Sequence, residues 1–220
     1  MKKLFVWDFH GTLEKGNENA SQEITNEVLA KHGYKQRLSD QDSIKLYGKK
    51  WYQYYEYLLP DEPHQKHLAL QADSFEWPTA EAIVAKHMKP NDHAAEVVNA
   101  IRTKGHLQVL LSNTTEYALP IFVRLAGLSE YFDASNAFAI AAHSKDAIHT
   151  KVQVLEDFIQ DHKLEHNLAV IGDSLSDMEL AKREHAKGYY YRHPGLAIDK
   201  DLAPNVITIH DLRDVLAEVN

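Results

Sequence analysis

The stretch 5-FVWDFHGTLE-14 decides how the rest of the chain is read. An apolar run, Leu4-Phe5-Val6-Trp7, stops at Asp8, and a Gly-Thr pair follows almost at once. A continuous apolar run ending in a carboxylate and a turn is the pattern of a buried strand that delivers a charged side chain to a sheet edge. His10, two residues further on, then determines what chemistry that edge supports.

Working outward, two more apolar runs, at 107–111 and 168–171, end in the polar stretches SNTTE and GDSLSD. Helical periodicity follows each, through Leu119, Phe122, Val123 and Ala126 in one case and Met178, Leu180 and Ala181 in the other. Strand, polar loop and helix in repetition predict an α/β fold, a Rossmann-like parallel sheet. In such sheets ligands bind beyond the carboxyl ends of the strands, so the three polar loops are expected to converge. Weaker strands are expected at 188–192 and 206–209, with a closing helix at 211–219.

Residues 15–92 read differently. Helical periodicity is punctuated by Gly33, Gly48, Pro60, Pro63 and Pro78, which predicts several helices inserted after the first strand. The expected organisation is a core of 1–14 and 93–220 with a helical insertion of 15–92. Within the insertion, 51-WYQYYEYLL-59 is read as an amphipathic helix burying Trp51, Tyr55, Leu58 and Leu59.

Bulk composition excludes several classes. The 220 residues carry 24 Lys and Arg against 32 Asp and Glu, a net charge of -8, which argues against a nucleic-acid binder. With no cysteine, disulfides and thiolate metal sites are impossible. The N-terminal MKKLFVWDF breaks at Asp8, too soon for a signal peptide, and no segment is long and apolar enough to span a bilayer. A cytoplasmic protein without a membrane partner is expected; the oligomeric state is not legible.

Taken in order, DFHGTL, the strand end VLLSN, a lysine opening a helix, and GDSLSD make the chain resemble the haloacid dehalogenase-like hydrolase superfamily, in its phosphatase branch with a helical cap. The resemblance runs from near the N-terminus to GDSLSD and implies a division of labour. Asp8 is the nucleophile that forms an aspartyl phosphate. Mg²⁺ is held by Asp8, the His10 backbone carbonyl and Asp173, with Asp177 behind them orienting the site. Thr12, Ser112 and Asn113 hold phosphoryl oxygens. A lysine neutralises the accumulating charge; Lys151, opening the helix of Val152, Leu155 and Phe158, is favoured over its competitor Lys145. The turn 48–50 resembles the family's cap loop, which implies that Lys49 or Lys50 binds an anionic or hydroxyl-rich part of the substrate; the bland reading, two solvated lysines at a helix start, stands beside it.

At His10 the chain departs from the family, whose phosphatases carry there an aspartate that protonates the leaving oxygen and then activates water. Three readings compete: the imidazole does the same work, the leaving group needs little acid, or catalysis is lost. The intact Asp8, Lys151, Asp173 and Asp177 favour an active enzyme acting on a small phosphorylated metabolite. The alternatives are a sugar-phosphate mutase and a catalytically silent phosphate-binding protein. His64 with His67, and His162 with His166, are spaced for two imidazoles on one helix face, but no third ligand is evident, and they are read as surface histidines.

Overall fold

The chain begins in the middle of its sheet. A computed structural model describes residues 2–47, 49–75, 79–140, 150–164, 167–192 and 205–219. Strand β1 (Leu4–Trp7) is buried along its whole length and is followed by the short β2 (Glu14–Lys15). Five helices come next: α1 (Asn17–Lys31), α2 (Asp40–Leu46), α3 (Trp51–Leu58), α4 (His64–Asp73) and α5 (Thr79–His87). The chain returns through β3 (Lys89–Pro90) and α6 (Ala94–Thr103) to β4 (Leu107–Ser112), α7 (Ala118–Leu125), β5 (Ala137–Ala139) and α8 (Lys151–Asp161). It closes with β6 (Leu168–Gly172), α9 (Leu175–Arg183), β7 (Lys187–Tyr191), β8 (Val206–Ile209) and a 3₁₀ helix (Leu212–Glu218).

These elements form two compact units, residues 1–15 with 90–220, and residues 16–89. In the first, six parallel strands run in the order β5-β4-β1-β6-β7-β8. Leu4 lies level with both Leu107 and Leu168, and Trp7 with Leu110 and Ile171. The chain builds outward from β1 through β4 to β5, then crosses back to start β6 on the other side. That reversal makes the end of β1 the switch point where an open α/β sheet binds its ligand. The central strands are covered on both faces, and this is why they read as apolar runs, interrupted in β4 by the buried Gln108. Leu4, Val6, Val109, Leu111, Leu168 and Val170 pack with Leu155, Phe158 and Leu180 of α8 and α9.

The second unit has its own core. Leu38, Leu46 and Tyr54 are buried together, with Trp51 and Leu58 packed against them, and the hydroxyl of fully buried Tyr55 pairs with Ser74 Oγ at 2.7 Å. Helix α3 buries Tyr54 and Tyr55, and Leu59 just beyond its end is buried too, while Trp51 and Leu58 stay partly exposed. Trp51 instead keeps its indole N–H on Thr25 Oγ1 at 2.9 Å. The expected closing helix is 3₁₀ in kind, and the short, half-buried strand β5 was not anticipated.

Candidate active site

A tight turn organises the loop after β1. The backbone N–H groups of Thr12, Leu13 and Glu14 all reach the Phe9 carbonyl, at 3.2, 2.9 and 3.3 Å. Gly11 sits at φ 76°, in the left-handed region where a glycine carries no side-chain penalty. Asn91, just after the helical insertion, clamps the turn: its side-chain amide donates to the Thr12 carbonyl at 2.8 Å and its N–H to the Leu13 carbonyl at 2.9 Å. Asp8 is thereby held at the end of β1, its own N–H on the Ile171 carbonyl at 2.8 Å.

Among the described residues, Lys151 reaches it. Helix α8 starts at this residue, capped by Thr150 Oγ1, which accepts the Gln153 N–H at 3.2 Å. The Lys151 ammonium donates to Asp8 Oδ1 at 2.6 Å and to Asp177 Oδ1 at 2.7 Å, and all three side chains are at least nine-tenths buried. The competitor Lys145 lies outside the described residues. Burial disfavours the Lys151 cation, but the charges of Asp177 and Asp8 outweigh it and hold the ammonium well above its ordinary range. Burial also pushes the Asp8 carboxyl up to about 6; Lys151 works against that rise and the Asp177 charge adds to it.

Asp177 has both oxygens engaged. Its Oδ2 accepts the Ser174 hydroxyl at 2.5 Å and the Ser174 N–H at 3.2 Å, while its own N–H returns to Ser174 Oγ at 3.3 Å. This reciprocal box starts α9 and aims the carboxylate at Lys151. Gly172 makes room for it, since a Cβ there would stand 2.4 Å from the Asp177 carboxylate.

Ligand-type oxygens of Asp8, Asp173 and Asp177 lie within 4.8 Å of one another. Three carboxylates gathered at one point are a set of hard oxygen donors, and this fits a divalent cation such as Mg²⁺. Thr12 and Ser112 are fully buried, and neither hydroxyl has a partner among the described residues. Asn113, the next residue after Ser112, is exposed. Lys49 lies in the helical unit, exposed, with its N–H on the Leu46 carbonyl at 2.9 Å, and Gly48 is outside the described residues.

His10 has a partner that the sequence reading missed. Its Nδ1 lies 2.9 Å from Glu14 Oε1, and the Glu14 side chain has no exposure. The available signal was a carboxylate four residues after a histidine in a motif that is otherwise apolar or small. Among the other histidines, His67 is not a surface residue: it is buried, with Nε2 on the Leu59 carbonyl at 2.9 Å. Exposed His64 pairs with Glu56 at 2.8 Å, and the three side chains bring ligand-type atoms within 4.8 Å, so a third potential ligand does stand beside that pair. His166 lies outside the described residues.

Comparison with known proteins bears on the fold and the family. Among solved structures, CbbY from Rhodobacter sphaeroides in complex with phosphate superposes with a TM-score of 0.75 at 13% identity, covering 100% of this chain and 99% of that one. A haloacid dehalogenase-like family hydrolase from Streptococcus pneumoniae gives 0.70 at 16% identity, with 100% and 99% covered. A HAD family hydrolase from Deinococcus radiodurans R1 with bound phosphate and sodium gives 0.68 at 20%, with 99% and 96% covered. At these identities the likeness is one of fold. No curated protein matches the chain. The model of the haloacid dehalogenase-like hydrolase family, however, matches residues 2–184, and the chain belongs to that family.

Proposed function

We propose that this chain is a magnesium-dependent phosphatase that hydrolyses a small phosphomonoester through an aspartyl phosphate on Asp8. The observation that carries the reading is the buried Lys151 ammonium shared between Asp8 Oδ1 and Asp177 Oδ1. One Asp8 oxygen is neutralised and aimed, and Oδ2 has no hydrogen-bond partner among the described residues. Oδ2 attacks phosphorus as the bond to the ester oxygen breaks, and His10 protonates the departing oxygen. Water then attacks the same phosphorus, His10 takes its proton, and Asp8 is regenerated.

Asp8, the His10 carbonyl and Asp173 are the residues assigned to Mg²⁺, which when bound supplies positive charge to the phosphoryl oxygens. Asp177 holds Lys151 in place behind them. The unpartnered hydroxyls of Thr12 and Ser112 support an assignment to phosphoryl oxygens, because a buried donor without a partner costs about 1–3 kcal/mol that a ligand can offset. Asn113 joins them at the same strand end. The insertion at Gly16, directly after the catalytic turn, supports a cap that favours a small metabolite, with Lys49 assigned to the substrate's distal anionic or hydroxylated part. Bound phosphate in two of the similar structures supports the ligand class.

The test is phosphate release from a panel of small phosphomonoesters with and without Mg²⁺, using wild type and Asp8→Asn. Release that requires both the metal and Asp8 is expected. Saturable binding of phosphorylated ligands with no release across the panel would replace this reading with that of a silent binder.

A further inference from the structure

The Glu14 carboxyl is expensive where it stands. It is fully buried, and its Oε2 has no partner among the described residues. An apolar side chain at the start of β2 would avoid that cost, so the carboxyl needs a reason. Its other oxygen supplies one. Oε1 accepts the Gly11 N–H at 3.2 Å and lies 2.9 Å from His10 Nδ1. A carboxylate oxygen only accepts, so Nδ1 is the donor, and the lone pair of the neutral ring belongs to Nε2.

Aromatic edges fix the ring elsewhere. Phe9 and Phe122 meet it edge-on, with centroids 5.1 and 5.0 Å away and interplanar angles of 78° and 72°. The turn wound on the Phe9 carbonyl brings residue 14 back beside residue 10, where the two form an isolated bridge. His10 Nε2 has no hydrogen-bond partner among the described residues. An imidazole pinned at one nitrogen by a buried carboxyl, with the other bare, has the arrangement that serves proton transfer in hydrolytic sites.

We propose that Glu14 is a positioning residue: by accepting the Nδ1–H of His10 it sets the tautomer and orientation of the ring and presents Nε2 to the ester oxygen and then to water. This rests on the reading of His10 as acid and base, and it makes histidine at position 10 and glutamate at position 14 one functional unit.

The test uses the full chain in five forms: wild type, Glu14→Gln, Glu14→Leu, His10→Asp and the double variant His10→Asp/Glu14→Leu. Leu has a similar volume and removes a costly buried group, so folding is expected to survive, and circular dichroism checks this. Nitrogen-15 NMR of the His10 ring reads the positioning directly and needs no turnover. The Nδ1–H tautomer is expected in wild type and Glu14→Gln, with Glu14→Leu shifting toward Nε2–H. In Mg²⁺-dependent phosphate release, Glu14→Leu is expected to lower kcat by about 10- to 100-fold with KM nearly unchanged, within the ~10²–10⁴ that general acid–base catalysis supplies. Glu14→Gln, whose amide oxygen still accepts, is expected to keep most of the activity. On the His10→Asp background, Glu14→Leu is expected to cost nothing or to raise kcat, because two carboxyls then face each other. An unchanged tautomer in Glu14→Leu, or an equal loss of kcat on both backgrounds, overturns the positioning role. No phosphate release from wild type with the tautomer shift intact overturns the phosphatase reading instead.

Discussion

In the presence of EDTA, Asp8→Asn is expected to stabilise the protein at neutral pH. An unfolded aspartate titrates near 3.8, whereas burial raises folded Asp8 to about 6. Between those values the native state keeps a proton that the unfolded chain has released. The stability this group contributes is therefore full below the unfolded pKa, falls as pH rises, and is lost above about 6. A displacement of about two pH units at ~1.36 kcal/mol each is a penalty of roughly 3 kcal/mol at neutral pH. Asparagine is neutral at every pH, keeps an oxygen for the Lys151 ammonium, and escapes that penalty. The assay is urea unfolding in EDTA at about pH 4.5 and about pH 7.5. It is followed by tryptophan fluorescence, since Trp7 is fully buried and adjacent to Asp8. Wild type is expected to lose stability relative to Asp8→Asn between the two conditions, which cancels the other titrating groups common to both. Mg²⁺ is expected to reverse the order by binding wild type more tightly. Parallel pH profiles for the two proteins, or a less stable Asn variant at the higher pH, would refute the reasoning.

Other perturbations test the rest of the cluster. Lys151→Met leaves Asp8 and Asp177 facing each other without their shared cation, and kcat for phosphate release is expected to fall by about 10²–10³-fold. Gly172→Ala drives a methyl group into the Asp177 carboxylate and so loosens Lys151; a loss of about 1–3 kcal/mol in urea unfolding, together with most of the activity, is expected. Ser174→Ala removes the α9 cap and one Asp177 partner; it is expected to cost about 1 kcal/mol, read in the same unfolding experiment.

The parts of the fold that were legible in the sequence share a physical cause. β1, β4 and β6 are covered on both faces, so they are apolar along most of their length, and the polar loops after them mark the sheet edge. β5 is three half-buried residues, too short to carry a pattern. Helix α3 is aromatic on most sides, so periodicity could not decide that Tyr54 rather than Trp51 faces inward. At the candidate site, the meeting of Asp8, Lys151 and Asp177 was anticipated because DFHGTL, a lysine opening a helix and GDSLSD resemble, in that order, motifs that converge at one sheet edge. Glu14 was not. A carboxylate after a turn reads as solvated, and only the winding of residues 9–14 about one carbonyl returns it, buried, to His10.

The central claim is covalent catalysis by Asp8, and the most direct measurement looks for the bond itself. Wild type would be acid-quenched during turnover of a phosphomonoester from the panel, reduced with borohydride, and digested for mass spectrometry. An aspartyl phosphate is reduced to homoserine, so the expected result is homoserine at position 8, absent without Mg²⁺ or without substrate. Phosphate release with an unmodified Asp8 would contradict it.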